Sequence, residues 1–205
     1  MNIEDELRLL DQTTGLDDWN IDPEGDILLR SPEQHEDLDS STLTPFHRVL
    51  LEIDGTVTKF LESQTKERID VLKVSQAQRS LPRAHEWLRA PAGTTVSARQ
   101  VILCGHDSHE LYAYAVSLLV PERMPAPIRE ELQASDKGIG RLLREHRLET
   151  YREVLWTGRE RRETLPPALA RYSGGGLVSR TYRVLYRGAP IMLIHEKFPI
   201  PDTSS

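Results

Sequence analysis

With 205 residues, the chain is long enough for one domain of ordinary size with its own core, plus an appendage. It contains no run of about 18 apolar residues, which excludes a helical membrane span. The formal charge is -6, and even the more basic body of the chain falls far short of a nucleic-acid binder's footprint.

The acids are unevenly spread. Residues 1–42 hold 13 Asp and Glu against 2 Arg, leaving 19 acids and 24 bases of the totals of 32 and 26 for the remainder. The body is therefore mildly basic, as suits a small anionic ligand. The stretch 1–42 reads as an acidic extension, irregular or loosely packed, in which Leu7, Leu9 and Leu10 suggest a short helix over Met1–Gln12. The first residues, Met1-Asn2-Ile3-Glu4-Asp5-Glu6, are acidic where a secretory signal is basic and then apolar. The single cysteine, Cys104, forms no internal disulfide and fits a reducing compartment, so the expected location is the cytoplasm.

An ordered domain is expected over residues 43–200, with 201–205 as a tail. Thr44 is a plausible N-cap with Pro45 at the first helical position. Phe46, Val49, Leu50 and Ile53 recur at helical spacing until Asp54-Gly55 breaks the helix, and Thr56 opens a second helix carrying Val57, Phe60 and Leu61. From Arg68 the period becomes two, with Ile69, Val71 and Lys73 opposed to Asp70, Leu72 and Val74. Pro82–Pro91 reads as a connection carrying Trp87. Val96–Cys104 and Leu111–Val120 form a predicted hairpin around Gly105-His106-Asp107-Ser108-His109-Glu110. His106 and His109 have no third ligand at a recognisable spacing, so they read as turn residues and no metal is expected.

Short helices are predicted over Pro125–Gln133 and Gly138–Glu145, then a strand over Leu148–Trp156, a charged Pro-containing stretch over Thr157–Leu169, and a glycine lead-in, Gly174-Gly175-Gly176. Two closing strands contain Arg180–Arg183 and Gly188–Phe198. Helices, then alternating strands, then short helices and a hairpin describe a single-domain α+β fold with a mainly antiparallel sheet.

The chemistry concentrates in that last hairpin. Alternation puts Met192, Ile194, Glu196 and Phe198 on one face of the strand and Ile191, Leu193, His195 and Lys197 on the other. A glutamate among large apolar neighbours either meets a cation or has its pKa raised, and both suit a catalytic acid or base. An edge-strand glutamate facing water is the other reading. Arg99 shares a face with Val101 and Leu103, where it needs an anionic partner, snorkels, or forms a structural ion pair. Arg183 alternates with Thr181 and Leu185, while Arg180 falls on the opposite face with Tyr182, Val184 and Tyr186, so only one of the two arginines readily enters a shared cavity.

Four segments carry a resemblance: Leu50-Leu51-Glu52-Ile53-Asp54-Gly55-Thr56-Val57-Thr58-Lys59; Arg99-Gln100-Val101-Ile102-Leu103-Cys104; Gly138-Ile139-Gly140-Arg141-Leu142-Leu143; and Gly188-Ala189-Pro190-Ile191-Met192 with Glu196-Lys197-Phe198. In this order and spacing they resemble the chorismate pyruvate-lyase family, particularly its actinobacterial-type branch, over roughly residues 43–200. The resemblance implies a twisted antiparallel sheet with helical flaps over a buried site, and cleavage of chorismate to 4-hydroxybenzoate and pyruvate without metal or organic cofactor. It implies Glu196 as catalytic residue and Arg99 as carboxylate anchor, with Arg183 or Arg180 as a second anchor and Ile139 and Val57 lining the ring pocket. Where the enterobacterial branch has methionine, this chain has Val57. The expected partner is chorismate alone, with no nucleic acid or membrane, in a monomer or small homo-oligomer. The alternative is a non-catalytic module sensing a small aromatic carboxylate. A regulator of that kind also needs a basic helix-turn-helix of about 60 to 70 residues, and residues 1–42 are too short and too acidic for one.

Overall fold

The computed structural model describes residues 38–134, 138–160, 174 and 176–200. The predicted Met1–Gln12 helix, most of the acidic extension and the charged stretch after Glu160 lie outside them. Among the described residues no helix is long and apolar enough to cross a membrane.

Among the described residues four α-helices, α1 (Pro45–Glu52), α2 (Val57–Thr65), α3 (Ala126–Ala134) and α4 (Ile139–Glu145), accompany six strands. The strands are β1 (Ile69–Ser80), β2 (Thr95–Gly105), β3 (Leu111–Leu119), β4 (Tyr151–Glu160), β5 (Leu177–Tyr186) and β6 (Ala189–Pro199). They form one sheet in the order β1-β2-β3-β6-β5-β4, with every neighbouring pair antiparallel. The fold is the predicted α+β class: two three-stranded meanders joined where β3 pairs with β6.

Helix α1 begins as its sequence dictates. Thr44 Oγ1 accepts from His47 N at 3.3 Å, Pro45 occupies the first turn, and the His47 ring donates from Nε2 to the Pro199 carbonyl at 3.0 Å, pinning the helix to the end of β6. Helices α1 and α2 pack Leu50, Leu51, Val57 and Leu61 on Leu103, Val178 and Phe198 of the sheet. Helices α3 and α4 place Ile128, Leu132, Leu142 and Leu143 on Val184, Met192 and Ile194. Both pairs cover the same face, hereafter the front, and the space between them is the cavity described below. The back face carries Ala98, Ile102, Val116, Leu118 and Leu193 under Leu81, Leu88 and Ala90 of the 81–94 connection.

Three element limits depart from the sequence reading. β1 continues to Ser80 because Val74 is a bulge that shifts the phase, so the polar run Ser75–Ser80 pairs on with β2 and sets Gln76 opposite Arg99. β4 starts at Tyr151 because Leu148 is used in closing α4, its N–H donating to the Leu143 carbonyl at 2.9 Å after Arg147 turns through φ 49°. It runs to Glu160 because that charged end is buried against β6. The β5–β6 hairpin turns on Arg187 and Gly188, both at positive φ (50° and 79°), the two-residue turn whose twist matches that of paired strands.

The β2–β3 turn is anchored by Glu67 at the α2–β1 corner. Its carboxylate accepts from Ser108 Oγ at 2.8 Å, Tyr112 Oη at 2.9 Å and the Asp107 and Ser108 amides at 3.1 Å each. The Ser108 hydroxyl and amide lead in holding its pKa down to about 2 from an ordinary 4.5. The stabilisation is fully present above pH 4.5 and is lost as pH falls through about 2. Glu67→Gln is accordingly expected to lower the melting temperature by a few degrees at pH 7, a gap that closes on acidification; a pH-independent difference in thermal scans counts against this account. His106 binds Asp70 through Nδ1 at 2.6 Å, and His109 takes a left-handed turn position, so both histidines serve the hairpin corner.

Candidate active site

Side chains opposite one another on neighbouring strands share a face, so the ladder register decides which residues meet. Arg180 lies directly opposite Glu196. Arg180 Nε donates to Glu196 Oε2 at 2.8 Å, and its Nη1 donates to the Ile53 carbonyl at 2.8 Å. The next row along the sheet runs Arg99, Ser117, Ile194, Tyr182. Arg99 and Glu196 therefore project from the same front face, Arg99 at 1% exposure and Glu196 at 7%. Glu196 is neither an edge glutamate nor a solvated one, since β6 lies between β3 and β5.

A cavity of about 610 Å³ opens above these residues. Arg99, Ser117 and Glu196 form part of its floor, and Val57 and Ile139 enter from the first turns of α2 and α4. The two helix starts approach closely: a Cβ on Gly140 would lie 3.0 Å from Thr56 Cγ2, so glycine lets α4 close over α2. The sequence-predicted Arg99, Arg180, Glu196, Val57 and Ile139 are thus gathered in or beside one chamber.

Arg183 is not. It lies on the back face, donating from Nε to Glu153 Oε2 at 2.7 Å and from Nη1 to the Trp87 carbonyl at 3.1 Å. This corrects its candidacy as a substrate anchor: strand alternation turns it away from the face that carries Glu196.

Tyr182 and Arg152 were not picked out as site residues. Tyr182 Oη donates to Glu196 Oε1 at 3.2 Å, and the Arg180 guanidinium lies 4.8 Å from the Tyr182 ring centroid. Burial, reinforced by the negative charge of Glu196, pushes the Tyr182 hydroxyl well above the ordinary phenol range, so it stays protonated. Burial acts to lower the Arg180 pKa, but Glu196 and Tyr182 together more than offset it and the guanidinium is held above its usual value. A guanidinium thus donates to one oxygen of Glu196 and a phenol to the other. Alternation in β5 had already put Tyr182 beside Arg180; its role needed the pairing with β6. Arg152 lines the cavity from β4.

Glu160 is a second buried carboxylate, on the back face. It accepts from Lys197 Nζ and His195 Nε2 at 2.7 Å each, while Thr181 Oγ1 bonds His195 Nδ1 at 2.8 Å. Burial alone would raise its pKa, yet the hydrogen bond and charge of His195, together with Lys197, hold it far below the carboxylate range. Glu196 is therefore not the sole acid in an apolar setting. The two residues flanking it in β6 are clamped from behind, which fixes the strand that presents it.

The family model for chorismate pyruvate-lyase, Rv2949c-like, matches residues 51–203. A chorismate pyruvate-lyase of Mycobacterium tuberculosis is 31% identical over 160 residues, covering 74% of this chain and 78% of that protein. Its counterpart in Mycobacterium leprae is 30% identical over 158 residues, covering 74% and 72%. Among solved structures, PhnF from Mycobacterium smegmatis shares the fold with a TM-score of 0.52 at 14% identity, over 72% of this chain and 65% of PhnF, a little under two thirds of the latter. The matched span carries the whole sheet, helices α2 to α4, Arg99, Tyr182 and Glu196, so the chain belongs to the Rv2949c-like chorismate pyruvate-lyase family.

Proposed function

We propose that the protein cleaves chorismate to 4-hydroxybenzoate and pyruvate, with Glu196 as the proton-transfer residue. The observation that carries this reading is the shared chamber: a carboxylate held by Arg180 and Tyr182 on the same cavity face as the buried Arg99. The volume of about 610 Å³ suits a small-molecule site, and its floor of buried strand side chains holds the polar groups in fixed positions.

In this mechanism Arg99 holds the ring carboxylate. Glu196 takes the proton from the ring carbon that bears the hydroxyl, and that electron pair completes the aromatic ring. The bond between the neighbouring ring carbon and the enolpyruvyl oxygen breaks, its electrons leaving on oxygen. The proton held by Glu196 returns to the methylene carbon of the departing enol, giving pyruvate. Atoms and charge balance without an external oxidant, reductant or group carrier. Aromatisation supplies the driving force, and the fixed carboxylate supplies orientation.

Incubating the purified protein with chorismate and measuring pyruvate together with 4-hydroxybenzoate tests the reading. Equal amounts of both products are expected. Binding of 4-hydroxybenzoate with no pyruvate released would instead favour a sensing module. Tyr182→Phe keeps the ring packing and removes one hydrogen bond to Glu196. Its kcat is expected to fall about 10-fold, with product affinity unchanged, the size of a single hydrogen bond to a charged group; steady-state kinetics beside calorimetric titration check this.

A further inference from the structure

The chamber has one deep cation at its β2 side, whereas the substrate proposed above carries two carboxylates. Arg183 faces away. Arg180 does not line the cavity: it sits beside Glu196 with Nε on that carboxylate and Nη1 on the Ile53 carbonyl. Four further cations, Lys59, Arg68, Arg141 and Arg144, line the space from the helices and their flanks. The first three are largely exposed and bound to carboxylates, Lys59 to Glu62, Arg68 to Asp70 and Arg141 to Glu145, and Arg144 is an exposed helix residue.

Arg152 differs from these. It is half-buried, it belongs to the sheet, and its register partner Val184 places it on the front face. One nitrogen, Nη1, donates to the Asp54 carbonyl at 2.6 Å, which leaves the other edge of the guanidinium fork for a ligand. Asp54 follows Ile53, whose carbonyl takes Arg180 Nη1, so the Arg152 guanidinium reaches the Glu196 end of the chamber. The strand order adds a geometric argument. Arg99 stands on β2, Glu196 on β6 and Arg152 on β4, so the acid's strand is two strands from each arginine's. Two strand spacings amount to about 9–10 Å across the sheet; Arg152, opposite Val184, also stands four positions along it from the Arg180–Glu196 row, an offset its long side chain covers by reaching to the Asp54 carbonyl.

We propose that Arg152 is the second carboxylate anchor, binding the enolpyruvyl carboxylate while Arg99 binds the ring carboxylate, so that the substrate lies across the sheet with its reacting carbon over Glu196. The assignment rests on the lyase reading for the identity of the dianion. It makes a differential claim, because 4-hydroxybenzoate keeps the ring carboxylate and lacks the other.

Arg152→Ala and Arg152→Lys, each checked by thermal melting, are to be compared with wild type in chorismate turnover and in equilibrium binding of chorismate and of 4-hydroxybenzoate. The expected result is a KM for chorismate raised about 10- to 100-fold in the alanine variant, the worth of a charged hydrogen-bonded contact, with partial recovery in the lysine variant. Product affinity should stay within about twofold, since that ligand makes no contact with Arg152. Equal loss of substrate and product affinity would overturn the proposal and make Arg152 a support for the Asp54 backbone; an unchanged KM would overturn it outright. If wild type binds chorismate but releases no pyruvate, the lyase reading fails, while a selective loss of chorismate binding in Arg152→Ala still upholds the anchor. Wild type binding neither ligand would remove both.

Discussion

Glu196→Gln is expected to abolish most pyruvate release from chorismate, by about 10²- to 10⁴-fold in kcat, while 4-hydroxybenzoate still binds. Glutamine fills the same space and can accept one hydrogen bond from Arg180, but it cannot take a proton from carbon. The substitution also leaves the guanidinium of Arg180, 1% exposed, without its counter-charge. Breaking a buried ion pair by neutralising one partner typically costs about 3–5 kcal/mol, so a lower melting temperature should accompany the lost turnover. Calorimetric titration with 4-hydroxybenzoate separates the two effects, because a variant that binds product with near wild-type affinity is folded at the site. Turnover at the wild-type rate would remove Glu196 from the chemistry.

Arg99→Ala is expected to weaken substrate and product together, by about 100-fold or more, because both ligands carry the ring carboxylate. Losing one partner of a desolvated charge pair commonly costs about 2–5 kcal/mol, and Arg99 is only 1% exposed. Lysine at this position supplies charge without the planar fork, so partial recovery is expected at best. The pattern contrasts with that of Arg152, where substrate alone should suffer. Titrations of each variant with both ligands distinguish the two anchors; unchanged product affinity in Arg99→Ala would assign the ring carboxylate elsewhere.

Much of the site was legible because strand alternation is a local property. It separated Glu196 from His195 and Lys197, and Arg180 from Arg183, before any pairing was known. Choosing between the arginines required the β5–β6 register, in which Arg180 and Glu196 stand opposite each other. Arg183 gave no local sign of its partners, which lie 30 and 96 positions away in the chain. Arg152 was hidden for a different reason. It sits on an edge strand whose pattern is irregular, with Tyr151 and Val154 both exposed and a bulge at Leu155 that exchanges the faces. Glu160 stands in the charged run Arg159-Glu160-Arg161-Arg162-Glu163, which reads as a solvated segment, yet its cations come from β6, 35 and 37 positions later. The caps of α1, the breaks at Asp54-Gly55 and Gly188, and the 106–109 corner were readable because each is decided within a few residues.

The order of the strands also bears on how the molecule comes into being during synthesis. β6 follows the other five described strands in the chain yet occupies an interior position, flanked by β3 and β5. Until it emerges from the ribosome, β1 to β3 and β4 with β5 remain two unjoined pieces with raw edges of unpaired backbone groups, hazards for aggregation. The same late insertion sets Glu196 opposite Arg180 and on the face of Arg99, so a nascent chain can hold neither its finished sheet nor the candidate site before that moment.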